Sequence, residues 1–308
     1  MVKEEMLVKS EKVEVRVDKD NSLNYETKKW PYQLTLPLMW ILTIWVIFKK
    51  KILRIKPKIN TFWFDGLSRP CRDIKENAGS WRALDIIYNF HFGQHRISDY
   101  WIGMINAQAV RNRLRLVRRE LIKAMRVQAQ KEGEKEIRLL SIASGSAQAV
   151  IEAIAEVKKE GIRVQATLLD LDPTALDYSR KLAKKYSLTD TDIAFVRGTT
   201  RNLEEAMKGK RPHIVEMIGF LDYRPYTKAV DLIRRIYHLL MPGGKLLTAN
   251  ICPNFEKYFM KWVINWSMIY REPRELGEIL VAGGFNPKDL QIICEPLQLH
   301  AVAICKRA

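Results

Sequence analysis

The chain has 308 residues, of which 47% are hydrophobic and 28% are charged, and its formal net charge is +17. This length and composition allow one large α/β domain with a substantial extension, and they exclude a wholly disordered chain. The four cysteines show neither a C-x-x-C motif nor histidines at zinc-ligand spacing. We therefore expect reduced structural thiols, a cytoplasmic protein and no metal site.

The basic excess is concentrated in one part of the chain. Residues 49–135 contain 20 Lys and Arg against 8 Asp and Glu, whereas residues 32–48 contain no charged side chain. A basic segment beside an apolar run favours an anionic membrane surface as a partner, because lipid headgroups attract lysine and arginine. RNA phosphates are the alternative partner for the same charges.

The N-terminal segment, residues 1–31, is polar, and the alternation in Lys12–Asp18 predicts a short exposed strand. The next segment, residues 32–58, begins with the apolar run Tyr32–Phe48 and ends in a basic flank. As a helix this run would reach roughly 26 Å, slightly short of a hydrocarbon core of about 30 Å. We expect it to associate with a membrane, spanning it or lying on its cytoplasmic face. A buried helix or a dimer contact is the alternative, and the oligomeric state stays open.

Residues 59–136 are predicted to form a helical, basic cap region. A long helical pattern starts near Ser98 and ends at Gly133. Arginines crowd its middle, at Arg111, Arg113, Arg115, Arg118 and Arg119. These side chains would hold phosphates if the partner were RNA.

Residues 137–308 have a different pattern, in which short apolar runs alternate with amphipathic helical stretches. This alternation predicts an α/β domain with a doubly wound, mostly parallel, seven-stranded sheet. Ligands of such a sheet bind at the carboxyl ends of its strands. The last two apolar runs are joined by a short turn, which predicts an antiparallel strand at the sheet edge.

The stretch LLSIASGSAQAV, residues 139–150, passes from the first of these strands into a helix. Its turn, Ala143–Ala147, consists of small residues, so the backbone can approach a ligand closely although only Gly145 is a glycine. A dinucleotide-binding G-x-G-x-x-G motif is absent, which argues against an NAD or FAD enzyme. Asp170 and Asp172 end the second strand. We expect Asp170 to accept hydrogen bonds from ribose hydroxyls and Asp172 to cap the next helix.

Residues 137–308 resemble the class I, Rossmann-like S-adenosylmethionine-dependent methyltransferase superfamily. The resemblance is carried by LLSIASGSA, LLDLD, VRGTTRNL and IGFLDY, and by LLMPGGKLLTANI followed by ELGEILVAGGF. It implies S-adenosyl-L-methionine as the cofactor, bound by Ser141, Ala143, Ser144, Gly145, Ser146, Ala147, Asp170, Leu171, Gly198, Thr199 and Gly219. Ser141 and Thr199 stand where the superfamily often has acids, and Ala143 and Ala147 stand where it has glycines.

The segment GFLDYRPY follows the fourth strand, where the resemblance places the methyl acceptor. Asp222 is a candidate base or acceptor-orienting carboxylate, with helix capping as the alternative. Tyr223 is a candidate contact or a packing residue, and Arg224 suits an acceptor with a carboxylate or phosphate. The apolar residues of 254–270 are predicted to line an acceptor pocket, with a packed helix as the alternative.

These features together predict an S-adenosylmethionine-dependent methyltransferase that acts on a small lipophilic acceptor at a membrane surface. An RNA or protein methyltransferase that uses the arginines of residues 111–119 is one alternative. A non-catalytic cofactor-binding or scaffold protein is the other.

Overall fold

The N-terminal part of the protein is mostly helical. The computed structural model describes residues 13–28, 33–55, 62–131 and 136–308. A short strand is followed by five helices, which are β1 (Glu14–Val17), α1 (Leu36–Lys51), α2 (Arg69–Glu76), α3 (Trp81–Tyr88), α4 (Arg96–Ile102) and α5 (Ile105–Ala129).

The remainder alternates strands and helices, as its apolar pattern predicts. The first half contains β2 (Ile137–Ile142), α6 (Gln148–Lys159), β3 (Val164–Asp170), α7 (Pro173–Lys185), β4 (Ile193–Arg197) and α8 (Leu203–Ala206). The second half contains β5 (Ile214–Met217), α9 (Tyr226–Leu239), β6 (Lys245–Ile251), α10 (Lys257–Trp262), α11 (Pro273–Ala282), β7 (Leu290–Cys294) and β8 (His300–Lys306).

The described strands form one sheet in the order β1-β7-β8-β6-β5-β2-β3-β4. The strands pair in parallel except β8, which is antiparallel to both β6 and β7. Residues 137–308 contribute the seven predicted strands, β2 to β8, and β1 adds an eighth. The predicted antiparallel strand is present as β8, but the prediction that it lies at the sheet edge is wrong. Because β8 lies between β6 and β7, the antiparallel strand is inside the sheet. The outer side of β7 is then open to pairing with another strand. The N-terminal strand β1 fills that edge, with Glu14 opposite Gln291, so the predicted short exposed strand is confirmed.

Alternate residues of each strand enter two different cores, as expected for a sheet covered on both faces. On β2, Leu139 packs with α5, α6 and α7, whereas Leu140 packs with α8, α9 and α11. Helix α5 therefore packs directly on the α/β sheet, through buried residues such as Leu116 and Leu121. A third core lies between α1–α4 and α10, and it includes the buried ring of Phe259. The helical N-terminal region thus covers the carboxyl-end side of the sheet domain through its own hydrophobic core.

Three side chains of α5 hold the N-terminal segment through one glutamate. Arg111 donates to both carboxylate oxygens of Glu26, at 2.8 and 2.6 Å, and Arg115 donates to one of them at 2.9 Å. Asn112 accepts the backbone N–H of Glu26 at 2.8 Å and donates to its carbonyl oxygen at 2.7 Å. Helix α5 therefore satisfies the backbone hydrogen bonds of Glu26 and also balances the charge of its carboxylate.

Two further arginines of α5 also bind carboxylates of the chain itself. Arg118 pairs with Glu156 of α6 at 2.7 Å, and Arg119 pairs with Asp18 beside β1 at 2.8 Å. Their guanidinium groups are engaged in fastening α5 to its neighbours. The predicted arginine cluster of residues 111–119 therefore does not form an open basic surface.

Helix α1 lies on the surface against α10. Met39, Thr43 and Val46 are buried, and Lys50 Nζ donates to the carbonyl oxygen of Trp262 at 2.9 Å. The opposite side, with its flanking residues, is apolar and exposed, and it includes Leu34, Leu38, Ile41, Ile44, Trp45, Phe48 and Ile52. Within the described ranges, no helix combines the length and the hydropathy that crossing a bilayer requires. Tyr32 and residues 56–58 of the predicted segment lie outside the described residues.

Replacing Arg111 by Met should destabilise the fold, because Glu26 would keep only Arg115 as its charged partner. We expect the free energy of unfolding at pH 7 to fall by about 2 kcal/mol, less than for a fully buried pair because Glu26 keeps some exposure. Urea denaturation of the Arg111→Met variant and the unchanged protein measures this loss. Arg69→Met, which removes an exposed pair with Asp73, is the control and should cost less than about 0.5 kcal/mol.

The loss should also shrink at low pH. Partial burial raises the pKa of Glu26, but the hydrogen bonds and charges of Arg111 and Arg115 outweigh burial and hold that pKa below its ordinary value. A carboxyl whose pKa is lowered by folding contributes stability above its unfolded pKa, and that contribution disappears as the pH falls through the folded value. Equal losses for Arg111→Met and Arg69→Met, or a loss independent of pH, would contradict this account.

Candidate functional site

The turn between β2 and α6 has an unusual backbone. Ala143, Gly145 and Ala147 adopt left-handed conformations, with φ of 51°, 54° and 50°. A left-handed conformation costs an alanine about 1 kcal/mol and costs glycine almost nothing. The two alanines that stand at glycine positions of the resembled superfamily therefore keep the glycine-like conformation. A Cβ on Gly145 would also lie 3.3 Å from Cβ of Trp81, so a larger residue there would crowd Trp81.

Asp170 fixes this turn from the end of β3. Its carboxylate accepts the backbone N–H of Gly145 at 2.8 Å and that of Asp172 at 2.9 Å. Asp172 in turn accepts the backbone N–H of Thr174 at 2.8 Å and caps α7, as the sequence predicted. The two aspartates thus have separate roles, and Asp170 lies beside the loop that the sequence assigned to a nucleotide.

A cleft of about 530 Å³ lies above the carboxyl ends of these strands. Ten of the eleven predicted cofactor-binding residues line it, namely Ala143, Ser144, Gly145, Ser146, Ala147, Asp170, Leu171, Gly198, Thr199 and Gly219. Ser141 is fully buried below the cleft and donates to Glu216 at 2.5 Å. The structure therefore brings the predicted set together with the exception of Ser141.

Glu216 is a cleft residue that the sequence reasoning missed. It lies opposite Ser141 in the parallel register of β2 and β5, and it lines the cleft. Burial raises the pKa of its carboxyl to about 7, against the opposing effects of the Ser141 hydrogen bond and the Arg113 charge. A carboxylate therefore lies beside Ser141, the position at which the resembled superfamily often has an acid. The signal was present in HIVEMIG, where one acid interrupts an otherwise apolar strand.

The cap region also contributes to the cleft, which the sequence did not predict. Trp81, at the start of α3, donates its indole N–H to Asp172 at 3.1 Å and packs on Tyr178 with ring centroids 4.7 Å apart. Leu84 and Tyr88 of the same helix line the cleft as well. One wall of the site is therefore a helix that lies far from the loop in sequence.

A second, apolar cavity of about 60 Å³ lies next to the cleft. Its wall includes Phe259, Met260, Ile264, Trp266 and Met268, all from the segment predicted to line an acceptor pocket. Arg113, Gly219 and Tyr223 line both the cavity and the cleft. A molecule in the cavity would therefore lie next to one in the cleft.

The three predicted catalytic residues take different positions. Asp222 is buried beside the apolar cavity, where burial raises the pKa of its carboxyl, and it accepts the backbone N–H of Ile251 at 2.8 Å. Tyr223 accepts the indole N–H of Trp266 at 2.6 Å at the boundary of the two spaces. Arg224 lines only the cleft of the two spaces, with its guanidinium over Phe220 at 4.3 Å. Asp222 and Tyr223 thus line the apolar cavity, and Arg224 does not.

Comparison with solved structures gives the fold class. A possible exported protein from Bordetella parapertussis superposes with a TM-score of 0.69 at 16% identity, covering 89% of this chain and 96% of that chain. Magnesium protoporphyrin IX methyltransferase from Synechocystis PCC 6803, solved with bound S-adenosylhomocysteine, superposes with a TM-score of 0.54 at 11% identity, covering 78% and 100%. The chain therefore shares the fold of these two proteins, of which the second is a methyltransferase. Neither protein-family models nor curated protein sequences give a match.

Replacing Glu216 by Gln should stabilise the protein above neutral pH. Folding raises the pKa of this carboxyl, so its contribution to stability is full below its unfolded pKa and is lost as the pH rises through about 7. Glutamine keeps an acceptor for Ser141 and has no charge to bury. Calorimetric melting temperatures of both proteins at pH 5 and pH 8 should give a Glu216→Gln advantage that is larger at pH 8, by at least about 2 °C.

The exposed substitution Glu278→Gln is the control for a simple change of net charge, and it should leave both melting temperatures unchanged. An advantage of Glu216→Gln that is equal at the two pH values would show that burial of the carboxylate is not its origin.

Proposed function

We propose that the protein is a class I S-adenosylmethionine-dependent methyltransferase with a small lipophilic acceptor. The observation that carries this proposal is the cleft of about 530 Å³ in which the left-handed loop, Asp170 and Glu216 converge. Its volume lies within the range of small-molecule sites. Ser144 Oγ, in the same loop, is buried without a hydrogen-bond partner among the described residues, and a bound cofactor would supply one. The site therefore fits the cofactor.

The residues of the cleft divide according to the parts of the cofactor. Two N–H groups occupy part of the Asp170 carboxylate, and a carboxylate has about four lone-pair sites, so acceptor sites remain for the ribose hydroxyls. The loop around Gly145 would hold the methionine portion, and Glu216 would bind its amino group. Gly198 and Thr199 would lie beside the adenine. When bound, S-adenosylmethionine supplies a methyl group activated by a sulfonium.

The apolar cavity supports the lipophilic acceptor. It adjoins the cleft and is walled mainly by aromatic and aliphatic side chains, so burial of apolar surface would drive binding. Asp222, which lines this cavity, is the candidate base or orienting carboxylate. Tyr223 lies where the two spaces meet and would separate acceptor from cofactor or orient them.

We further propose that α1 lies flat on the cytoplasmic face of an anionic membrane. Its exposed side is almost entirely apolar, and Lys49 and Lys51 follow at its end. A helix with an exposed apolar face, tryptophan at its edge and flanking lysines suits the headgroup boundary. Because α1 packs on α10, which contributes Phe259 and Met260 to the cavity wall, the membrane surface would lie close to the acceptor site.

The alternative functions have less support. An RNA methyltransferase would need the arginines of residues 111–119 for phosphates, but their partners are carboxylates of the chain and, for Arg113, a buried histidine and tyrosine. A scaffold that binds no cofactor would not account for the large cleft, its strained loop or its buried acid.

Asp170→Ala should weaken S-adenosylhomocysteine binding at least tenfold. The substitution removes the ribose acceptor and the group that holds the Gly145 N–H, and a lost charge-assisted hydrogen bond costs about 1.5–3 kcal/mol. Isothermal titration calorimetry measures the affinity. Asp172→Asn, which keeps a cap for α7 in the same cleft, is the control and should bind within about threefold of the unchanged protein. Absence of binding by the unchanged protein at millimolar ligand would favour the scaffold alternative.

Replacing Ile41, Ile44 and Trp45 together by Ser should abolish membrane binding. Each residue is exposed in the structure, so the fold should persist while the apolar contact with lipid is lost. In vesicle flotation with phosphatidylglycerol, we expect the bound fraction to fall at least tenfold. The exposed pair Val127→Ser and Val281→Ser is the control and should float normally. Flotation of the triple variant equal to that of the control would contradict this role of α1.

A further inference from the structure

Four polar side chains line the apolar cavity and lack complete hydrogen bonding. They are Asn106, Arg113, Glu256 and His300, each no more than 5% exposed. Among the described residues, Asn106 Nδ2, Arg113 Nε, Glu256 Oε1 and His300 Nε2 have no hydrogen-bond partner. A buried polar group without a hydrogen-bond partner destabilises the folded protein. Four residues that each have an unused polar atom line one small cavity, which favours a polar ligand group over packing alone.

Arg113 is the charged member of this set. Its guanidinium makes two hydrogen bonds, to His300 Nδ1 and to the Tyr88 hydroxyl, each 3.4 Å long. No carboxylate of the described residues forms an ion pair with it within 4.0 Å, although Glu216 and Asp222 attract it over longer distances. A buried guanidinium without an ion-pair partner is costly. The cavity is therefore suited to an anion.

The protonation of His300 follows from its contact with Arg113. A guanidinium only donates, so His300 Nδ1 is the acceptor and the ring hydrogen is on Nε2. Burial and the charge of Arg113 hold the pKa of His300 well below its usual range, so the ring is neutral. The atom without a partner, Nε2, is consequently a hydrogen-bond donor. With Arg113 Nε and the amide nitrogen of Asn106, the residues that line the cavity have three unused donors.

Glu256 provides the complementary group. Its Oε2 accepts the backbone N–H of Asn106 at 3.0 Å, at the start of α5, and its Oε1 is unused. Burial raises the pKa of this carboxyl to about 7, against the lowering effect of the backbone N–H groups of Asn106 and Ile105. The unused oxygen can accept a hydrogen bond from a ligand hydroxyl. The three protein donors and the one protein acceptor would therefore suit a ligand with three hydrogen-bond acceptor positions and one donor.

The remaining wall is aromatic. Trp101 and Phe259 are stacked with ring centroids 5.4 Å apart, and Phe64 meets both rings edge-on. Flat apolar rings pack well against such surfaces. The cavity of about 60 Å³ accommodates the polar end of a ligand, whose ring would extend toward Tyr223 at the boundary with the cleft.

We propose that the cavity binds a hydroxyaryl carboxylate, an aromatic acid with a hydroxyl on the adjacent ring carbon. The ligand carboxylate would accept hydrogen bonds from Arg113 Nε, His300 Nε2 and the Asn106 amide, and its hydroxyl would donate to Glu256 Oε1. This assignment rests on the proposed methyltransferase function and names the class of its acceptor.

The first test compares three small probes on the protein saturated with S-adenosylhomocysteine. By isothermal titration calorimetry, 2-hydroxybenzoate should bind saturably. Benzoate lacks the hydroxyl for Glu256 and phenol lacks the carboxylate for Arg113, so each should bind at least about tenfold more weakly. Equal affinities for the three probes, or no binding of 2-hydroxybenzoate, would overturn the proposal, and this test needs only the unchanged protein.

A matched pair of variants isolates the donor at His300. His300→Asn keeps an acceptor near the position of Nδ1 for Arg113 but has no donor at the position of Nε2. We expect at least fivefold weaker binding of 2-hydroxybenzoate. His300→Gln places an amide N–H near that position and should bind within about threefold of the unchanged protein. Equal loss in both variants would mean that the ring serves only packing, which contradicts the proposed contact.

Arg113→Met tests the anion partner. The substitution should weaken the binding of 2-hydroxybenzoate at least tenfold and remove the preference for this probe over phenol. Met268→Leu, on the same cavity wall, is the control and should leave both affinities unchanged. Weaker binding of S-adenosylhomocysteine with unchanged binding of 2-hydroxybenzoate would assign Arg113 to the cofactor and overturn the proposal. If the unchanged protein binds 2-hydroxybenzoate with the expected preference but never binds S-adenosylhomocysteine, the ligand class is supported and the methyltransferase function is contradicted.

Discussion

The hydrogen bond from the Gly145 N–H to Asp170 is the constraint on which the site depends. It joins the loop after β2 to the end of β3, so it tethers the loop to the strand that carries the acid. The same loop needs three left-handed residues to turn back into α6, and two of them are alanines that bear a conformational cost. The carboxylate stabilises this costly loop, and the result is a cleft with an acid and a helix N-terminus on one side.

The exchange between Ser141 and Glu216 follows from the geometry of a parallel sheet. Residues opposite each other on neighbouring strands lie about 4.8 Å apart, so a side chain on β5 can reach the space that an acid on β2 would occupy. Ser141 and Glu216 are such a pair, joined by a hydrogen bond. A carboxylate that a neighbouring strand places beside Ser141 is not detected by a search along one strand alone.

The cap region determines the shape of both spaces. Helix α3 closes the cleft with Trp81, and α5 brings Arg113 to the boundary between cleft and cavity. Helix α5 is held in place by ion pairs with Glu26, Asp18 and Glu156. Part of the positive charge of this region therefore forms ion pairs within the protein. Lysines at the end of α1 would attract lipid headgroups.

The sequence by itself determined the α/β alternation, the helix cap at Asp172, the small-residue loop and the short N-terminal strand. Each depends on local periodicity or on residues close together in the chain, which is where propensity and hydrogen-bonding rules act. Only the tertiary structure decided that β8 lies inside the sheet, that Glu216 stands beside Ser141, and that Arg113, Glu256 and His300 share one cavity. Apart from the pairing of β8 with β7, those relations join residues more than 40 positions apart. Strand order and buried charge partners depend on how the whole chain packs.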